Sequence, residues 1–187
     1  MKILVTGANG FIGKNLCLEL KNKGFEVLPF DVDKTEEELK NFLGIADYII
    51  HLAGINRPMS KEEFYNGNAN FTFRLIKLLK ASNRIVPTIF SSSTQAELDN
   101  DYGKSKRMAE DYLFSFMEET GNPVTIYRLT NVFGKWCKPN YNSVVATFCY
   151  NIANNLPIEI RDENYDVHLI YIDDVVKEFI KRINEPW

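Results

Sequence analysis

The sequence lacks several things, and each absence narrows the field. No apolar run reaches the roughly 18 residues of a membrane span, so no membrane partner is expected. The opening MKILVTGANG holds an apolar run too short for a secretory signal, and glycines follow at once. Basic residues are not in excess: 22 Lys and Arg stand against 25 Asp and Glu, and a formal net charge of −3 argues against a nucleic-acid partner. Cysteine is scarce. Cys17, Cys137 and Cys149 are widely spaced and form no CxxC or metal pattern, so a reduced, cytoplasmic setting is the simplest reading. His51 has no second ligand at a useful spacing, so no metal site is expected and a packed strand-end histidine is the better reading. Repeats, low-complexity tracts and obvious linkers are also missing.

What remains is an ordinary globular composition, 45% apolar and 25% charged over 187 residues, enough for one domain with a real core. Short apolar, β-branched runs read as strands at 2–5, 26–30, 46–54, 86–93 and 123–129, with a further short strand at 158–162. Segments with helical spacing lie between them, at 13–25, 34–44, 62–82, 102–121 and 143–155, and the chain ends on HLIYIDDVVKEFIKRI. Strands alternating with helices predict an α/β fold: a Rossmann-type, doubly wound parallel sheet with helices on both faces. Ligands bind such sheets at the carboxyl ends of the strands, so the residues just after each strand are the ones to inspect.

After the first strand comes TGANGFIG, with Gly7, Gly10 and Gly13 spaced G-x-x-G-x-x-G between a strand and a helix. Glycine permits the tight turn and the close approach of a pyrophosphate, and the helix start offers free N–H groups and a positive dipole end. Asp31 closes the second strand, 18 residues past Gly13. A carboxylate there accepts hydrogen bonds from the adenosine ribose and repels a 2′-phosphate, which favours NADH, while neighbouring Lys34 would offset that repulsion. HLAG follows the third strand, with small residues that leave room for a dinucleotide. SSST follows the fourth, and Tyr102 and Lys106 stand four apart at the start of the next helix, hence on one face. A lysine ammonium beside a tyrosine would favour the phenolate and bring its proton within reach of neutral chemistry. A serine hydroxyl would hold and polarise the same substrate oxygen.

These residues, TGANGFIG, Asp31, HLAG, SSST, YGKSK and YRLTNVFG, resemble the extended short-chain dehydrogenase/reductase family, which includes the NAD-dependent epimerases and dehydratases, and they stand in its order. The resemblance implies a catalytic Ser93, Tyr102 and Lys106. It implies dinucleotide contacts from Gly7, Asn9, Gly10, Phe11, Ile12, Gly13, Asp31, Leu52, Ala53, Gly54, Asn68 and Lys106, and a nucleotide-sugar contact at Asn131. In the loop that follows, Lys135, Lys138, Asn142 and Ser143 would grip a diphosphate; Arg128 reads equally as a phosphate partner or a buttress of the sheet, and Trp136 as core or lid. HLAGINRP, EFYNGN and NVFGKWCKPNYNSVVATFCY narrow the resemblance to two-domain reductases of capsule precursor synthesis. It then implies a UDP-linked N-acetyl 6-deoxy-4-ketohexose as substrate, NADPH as the usual donor and a homodimer. Residues 1–187 would hold the dinucleotide-binding domain and part of the substrate lobe, the rest of that lobe and a cupin domain having no counterpart here. Thr94 and Gln95 stand where a dehydratase of the family carries an Asp-Glu pair. A nucleotide-sugar epimerase with bound NAD, or a dinucleotide-binding fragment without turnover, remain the alternatives, and NADH against NADPH stays open.

Overall fold

A computed structural model of the chain describes residues 1–160 and 162–186. Five parallel strands, β1 (Lys2–Thr6), β2 (Glu26–Phe30), β3 (Tyr48–His51), β4 (Thr88–Ser93) and β5 (Val124–Leu129), form one sheet in the order β2-β1-β3-β4-β5. Winding runs outward from β1 to one edge, then jumps back to β3 and proceeds to the other. The crevice between the ends of β1 and β3 is therefore the switch point at which such sheets bind ligands. Pro29 lies in β2, an edge strand, where its missing N–H breaks no ladder.

Side-chain alternation divides the core. Leu4 of β1 and Ile49 of β3 pack on one face with Leu39 and Leu43 of α2 (Glu36–Ile45), Leu75 and Leu79, and Leu113 and Phe116. Ile3, Val5 and Ile50 pack on the other with Leu16 and Leu20 of α1 (Phe11–Asn22) and with Val176, Phe179 and Ile183. α2 starts on a capping box, Thr35 and Glu38 each satisfying the other's backbone N–H.

The helix expected over 62–82 is one helical run in three pieces: α3 (Lys61–Phe64), a π-turn over Tyr65–Asn70 and α4 (Phe71–Ala81). Such π-turns cost regular hydrogen bonds and gather at functional positions. α5 spans Asp101–Thr120 and stops at Gly121 in the left-handed conformation (φ 70°). β6 (Asn131–Phe133) and β7 (Leu169–Tyr171) form a separate two-stranded parallel sheet, with α6 (Val144–Ala153) between them and α7 (Ile172–Asn184) after. The strand expected at 158–162 does not form over Ile158–Ile160, which has no partner strand; Arg161 lies outside the described residues. Among the described residues no helix is long and apolar enough to cross a membrane.

Candidate active site

The glycine turn is fixed by contacts that admit no side chain. Gly7 has φ +70°, and a Cβ on it would stand 2.8 Å from the Ala53 nitrogen. A Cβ on Gly13 would stand 2.1 Å from the Gly7 oxygen, so α1 lies hard against the end of β1. α1 begins after Gly10 with no side-chain cap and no acidic residue in its first turn, which leaves its leading N–H groups for an outside anion. Asn9, Phe11, Ile12 and Lys14 line the adjoining cleft. At the end of β2, Asp31 accepts the Asn9 backbone N–H at 2.7 Å and the Val32 N–H at 2.8 Å. Lys34, thought able to offset its charge, is bonded to Glu38 at 3.0 Å.

His51 is a buried link. Thr72 donates its hydroxyl proton to the Asn68 carbonyl at 2.7 Å, so it can only accept from His51 Nε2, 2.9 Å away. That fixes Nδ1 as the acceptor from the Thr6 hydroxyl at 2.6 Å, and Thr6 in turn accepts the Ala53 N–H at 3.2 Å. Burial and the nearby Lys106 charge lower the His51 pKa to about 3, so the ring is neutral. The chain of bonds ties the ends of β1 and β3 to α4, and Leu52 and Gly54 beyond it line the cleft.

Asn68, on the π-turn, donates to the Ile55 carbonyl (3.0 Å) and the Ser105 hydroxyl (2.8 Å) and accepts the Ile55 N–H (2.8 Å). Both amide hydrogens are therefore spent within the protein, although the residue borders the cleft. It holds the loop after β3 against α5.

α5 starts on Asn100, whose side chain accepts the Gly103 N–H at 2.8 Å. Gly103 lies against the 3-10 turn Thr94–Glu97; a Cβ there would stand 2.2 Å from the Gln95 oxygen. This packing brings Ser93, Tyr102 and Lys106 to one wall of a cleft of about 860 Å³. Lys106 Nζ donates to the Ser91 carbonyl at 2.6 Å and sits 4.3 Å from the centre of the Phe90 ring. Burial lowers its pKa to about 7, against the opposing pull of Glu110. The Tyr102 phenol is pushed up by burial, and its hydrogen bond with Ser93 acts the other way. The expected lowering of the tyrosine by the lysine is thus absent: the ammonium is turned onto Ser91.

The far end of the cleft is less as expected. Asn131 and Asn142 line it, with Trp136, Cys137 and Lys138. Lys135 and Ser143 do not. Lys135 binds Asp173 at 3.0 Å and faces a small separate groove beside Asn15 and Lys177. The chain turns through positive φ at Gly134 (138°) and Trp136 (67°), which sends Lys135 away from the cleft while its neighbours line it. Ser143 is buried as the N-cap of α6, accepting the Ala146 N–H at 3.3 Å. Arg128 is a buttress: its fork grips Glu110, and its remaining nitrogen binds Glu97 at 2.8 Å.

Sequence reasoning missed Lys14, Tyr165, Asp166 and His168, and the bond between two cleft-lining residues in which the Tyr141 hydroxyl donates to Asn56 at 3.1 Å. Arg57 and Lys138 lie 5.4 and 5.5 Å from the Tyr141 ring centre. Only the loop's richness in lysine and asparagine hinted at this end of the cleft.

The model of the NAD dependent epimerase/dehydratase family matches residues 3–186. The chain belongs to that family. A UDP-2-acetamido-2,6-beta-L-arabino-hexul-4-ose reductase of Pseudomonas aeruginosa is 50% identical over 182 residues, 97% of this chain and 49% of the relative. The crystal structure of the capsular polysaccharide assembling protein CapF from Staphylococcus aureus superposes with a TM-score of 0.89 at 45% identity, over 100% of this chain and 51% of that one. The chain thus spans about half the length of these relatives. UDP-glucose 4-epimerase from Thermotoga maritima shares the fold, with a TM-score of 0.89 at 23% identity over 100% of this chain and 74% of that one. Asn9, Phe11 and Ile12 of the glycine-turn segment line the same cleft as Ser93, Tyr102 and Lys106, while Gly7, Gly10 and Gly13 are not among its lining residues.

Proposed function

We propose that residues 1–187 are the dinucleotide-binding domain, with part of the substrate lobe, of a cytoplasmic NADH- or NADPH-dependent reductase. Its substrate would be a UDP-linked N-acetyl 6-deoxy-4-ketohexose used for capsule or surface polysaccharide. The observation that carries this reading is the convergence of Ser93, Tyr102 and Lys106 on the cleft that begins at the glycine turn. The reductase identity at 50% and the CapF likeness support the substrate class.

In this reading Gly7, Gly10 and Gly13 admit the pyrophosphate, the start of α1 binds it, and Asp31 takes the adenosine ribose. The reduced nicotinamide, when bound, supplies a hydride. Ser93 holds the sugar's C4 carbonyl oxygen and Tyr102 protonates it, while Lys106, when charged, stabilises the phenolate left behind. A phenol raised by burial is a weak acid at rest, so the ammonium must act on Tyr102 once the cleft is filled. Asn131 and Asn142 contact the nucleotide sugar. The family resemblance supports a homodimer.

One observation favours a second reading, dinucleotide binding without turnover. No residue of α6 is buried, and Ile152, Ile160 and Tyr165 near the substrate end are largely exposed. Titration of the chain with NADPH and NADH, followed by nicotinamide fluorescence, tests the common part of both readings. Binding of one or both is expected; binding of neither overturns them. Net consumption of the dinucleotide with the keto-sugar then separates reductase from binding module and from epimerase.

A further inference from the structure

The mechanism leaves a buried carboxylate unused. Glu110 lies one helical turn past Lys106 and two past Tyr102, on the same face of α5, and its side chain is 2% exposed. It accepts the Ser92 hydroxyl and, from Arg128, Nε at 3.0 Å and Nη2 at 2.6 Å. Ser92 and Arg128 are partners across the β4–β5 ladder, so the two donors reach Glu110 from adjacent positions of the sheet. The end of β4 is thus held to α5 at three successive residues. Lys106 takes the Ser91 carbonyl, Glu110 the Ser92 hydroxyl and Tyr102 the Ser93 hydroxyl.

We propose that Glu110, gripped by Arg128 and Ser92, is a positioning residue for Lys106: it locks the serine end of β4 to α5 and supplies a negative charge that favours the charged form of the buried lysine. The proposal rests on the reading that Lys106 serves the cofactor and Tyr102. The groups facing Lys106 are few. Tyr102 and Glu110 lie on its own helix; His51 on β3 is neutral; Arg128 on β5 acts through Glu110; and β4 offers only the Ser91 carbonyl and the Phe90 ring. Glu97, on the turn packed against α5, lines the same cleft but is exposed and bound to Arg128, so Glu110 is the one buried anion among these groups, and its attraction opposes the burial penalty on Lys106. Arg128 partly cancels that attraction, so the pair sets the lysine's charge by the balance of its two members.

That balance makes a signed test. The intact chain is labelled with ¹³C-lysine, and the Lys106 Cε signal, assigned by its loss in Lys106→Met, is followed against pH without dinucleotide or sugar. The wild-type midpoint is expected at about 7. Glu110→Gln removes the anion and strands the Arg128 cation, so the midpoint falls, by on the order of one pH unit. Arg128→Gln frees the carboxylate from its partner, so the midpoint rises. A clamp with a purely structural role would loosen the same packing in both variants and move them the same way. Displacements of the same sign, or none, overturn the proposal. If either single variant fails to fold, Glu110→Gln/Arg128→Gln keeps a neutral amide pair of similar shape. Its midpoint is expected below wild type but above that of Glu110→Gln where both are measured, and an unchanged midpoint overturns the proposal. Because the titration needs no substrate, it can fail while the reductase reading stands, and the reverse.

Discussion

Replacing Lys106 by methionine should stabilise the fold most below about pH 7, with the advantage fading as pH rises. An ordinary lysine titrates at 10.5, and this one at about 7, because burial penalises its charge. That difference corresponds to about 5 kcal/mol between the charged and neutral forms. The sign follows from proton counts. Between about 7 and 10.5 the unfolded lysine keeps a proton that the native one has lost, so native stability rises with pH across that window. The burial penalty is in full force below the lower value and has gone above the higher one. Methionine carries no such dependence. The stability gap between Lys106→Met and wild type should therefore shrink by about 2 kcal/mol from pH 7 to pH 9. The lost bond to the Ser91 carbonyl offsets a constant part of the gain, roughly 1 kcal/mol, without altering this slope. Urea unfolding of both proteins at pH 6, 7, 8 and 9 reads the gap directly, since the titrations of Cys17 and the tyrosines are common to both and cancel. A gap that stays flat over this range would refute the argument that Lys106 is held near neutrality by burial.

Tyr102→Phe should lower keto-sugar reduction by about 10²–10⁴-fold, with dinucleotide binding retained, as stopped-assay rates and fluorescence titration would show. Gly13→Ala would force a methyl against the Gly7 oxygen and the Ala8 Cα, both backbone; a loss of about 2 kcal/mol or more in thermal unfolding is expected, together with weakened dinucleotide binding. Asp31→Asn should shift the ratio of NADPH to NADH affinity towards NADPH by on the order of tenfold, whichever the wild type prefers, because it removes the charge that, in the proposed reading, would face a 2′-phosphate.

The parts of this protein that were readable beforehand are those set by local rules. β1 and β3 are short apolar runs buried on both faces, and the glycine spacing leaves few conformations for the turn that follows. Tyr102 and Lys106 share a face because helical periodicity demands it. Other features depend on contacts far apart in the chain. Arg128 was ambiguous until Glu110 and Ser92 were seen to be its partners, since nothing in the spacing joins residue 110 to residue 128. Lys135 looked like a phosphate ligand by proximity, and a left-handed Trp136, rare for a large side chain, turns it away. The π-turn that spends Asn68 on the loop after β3 leaves no periodic signature, and the expected strand at 158–162 had apolar alternation but no neighbour to pair with over Ile158–Ile160. Tyr102 and Lys106 share a face of α5, yet their electrostatics differ from the expectation, because the ammonium donates to the Ser91 carbonyl.

The most direct test of the account is the absorbance of reduced dinucleotide at 340 nm when the protein meets a UDP-linked N-acetyl 6-deoxy-4-ketohexose. The account predicts a fall that requires both protein and sugar, matched mole for mole by a 4-hydroxy sugar product, and slowed by about 10²–10⁴-fold in Tyr102→Phe. An unchanged absorbance while the dinucleotide is bound, or conversion of a UDP-sugar to its epimer with no net loss of dinucleotide, would contradict it.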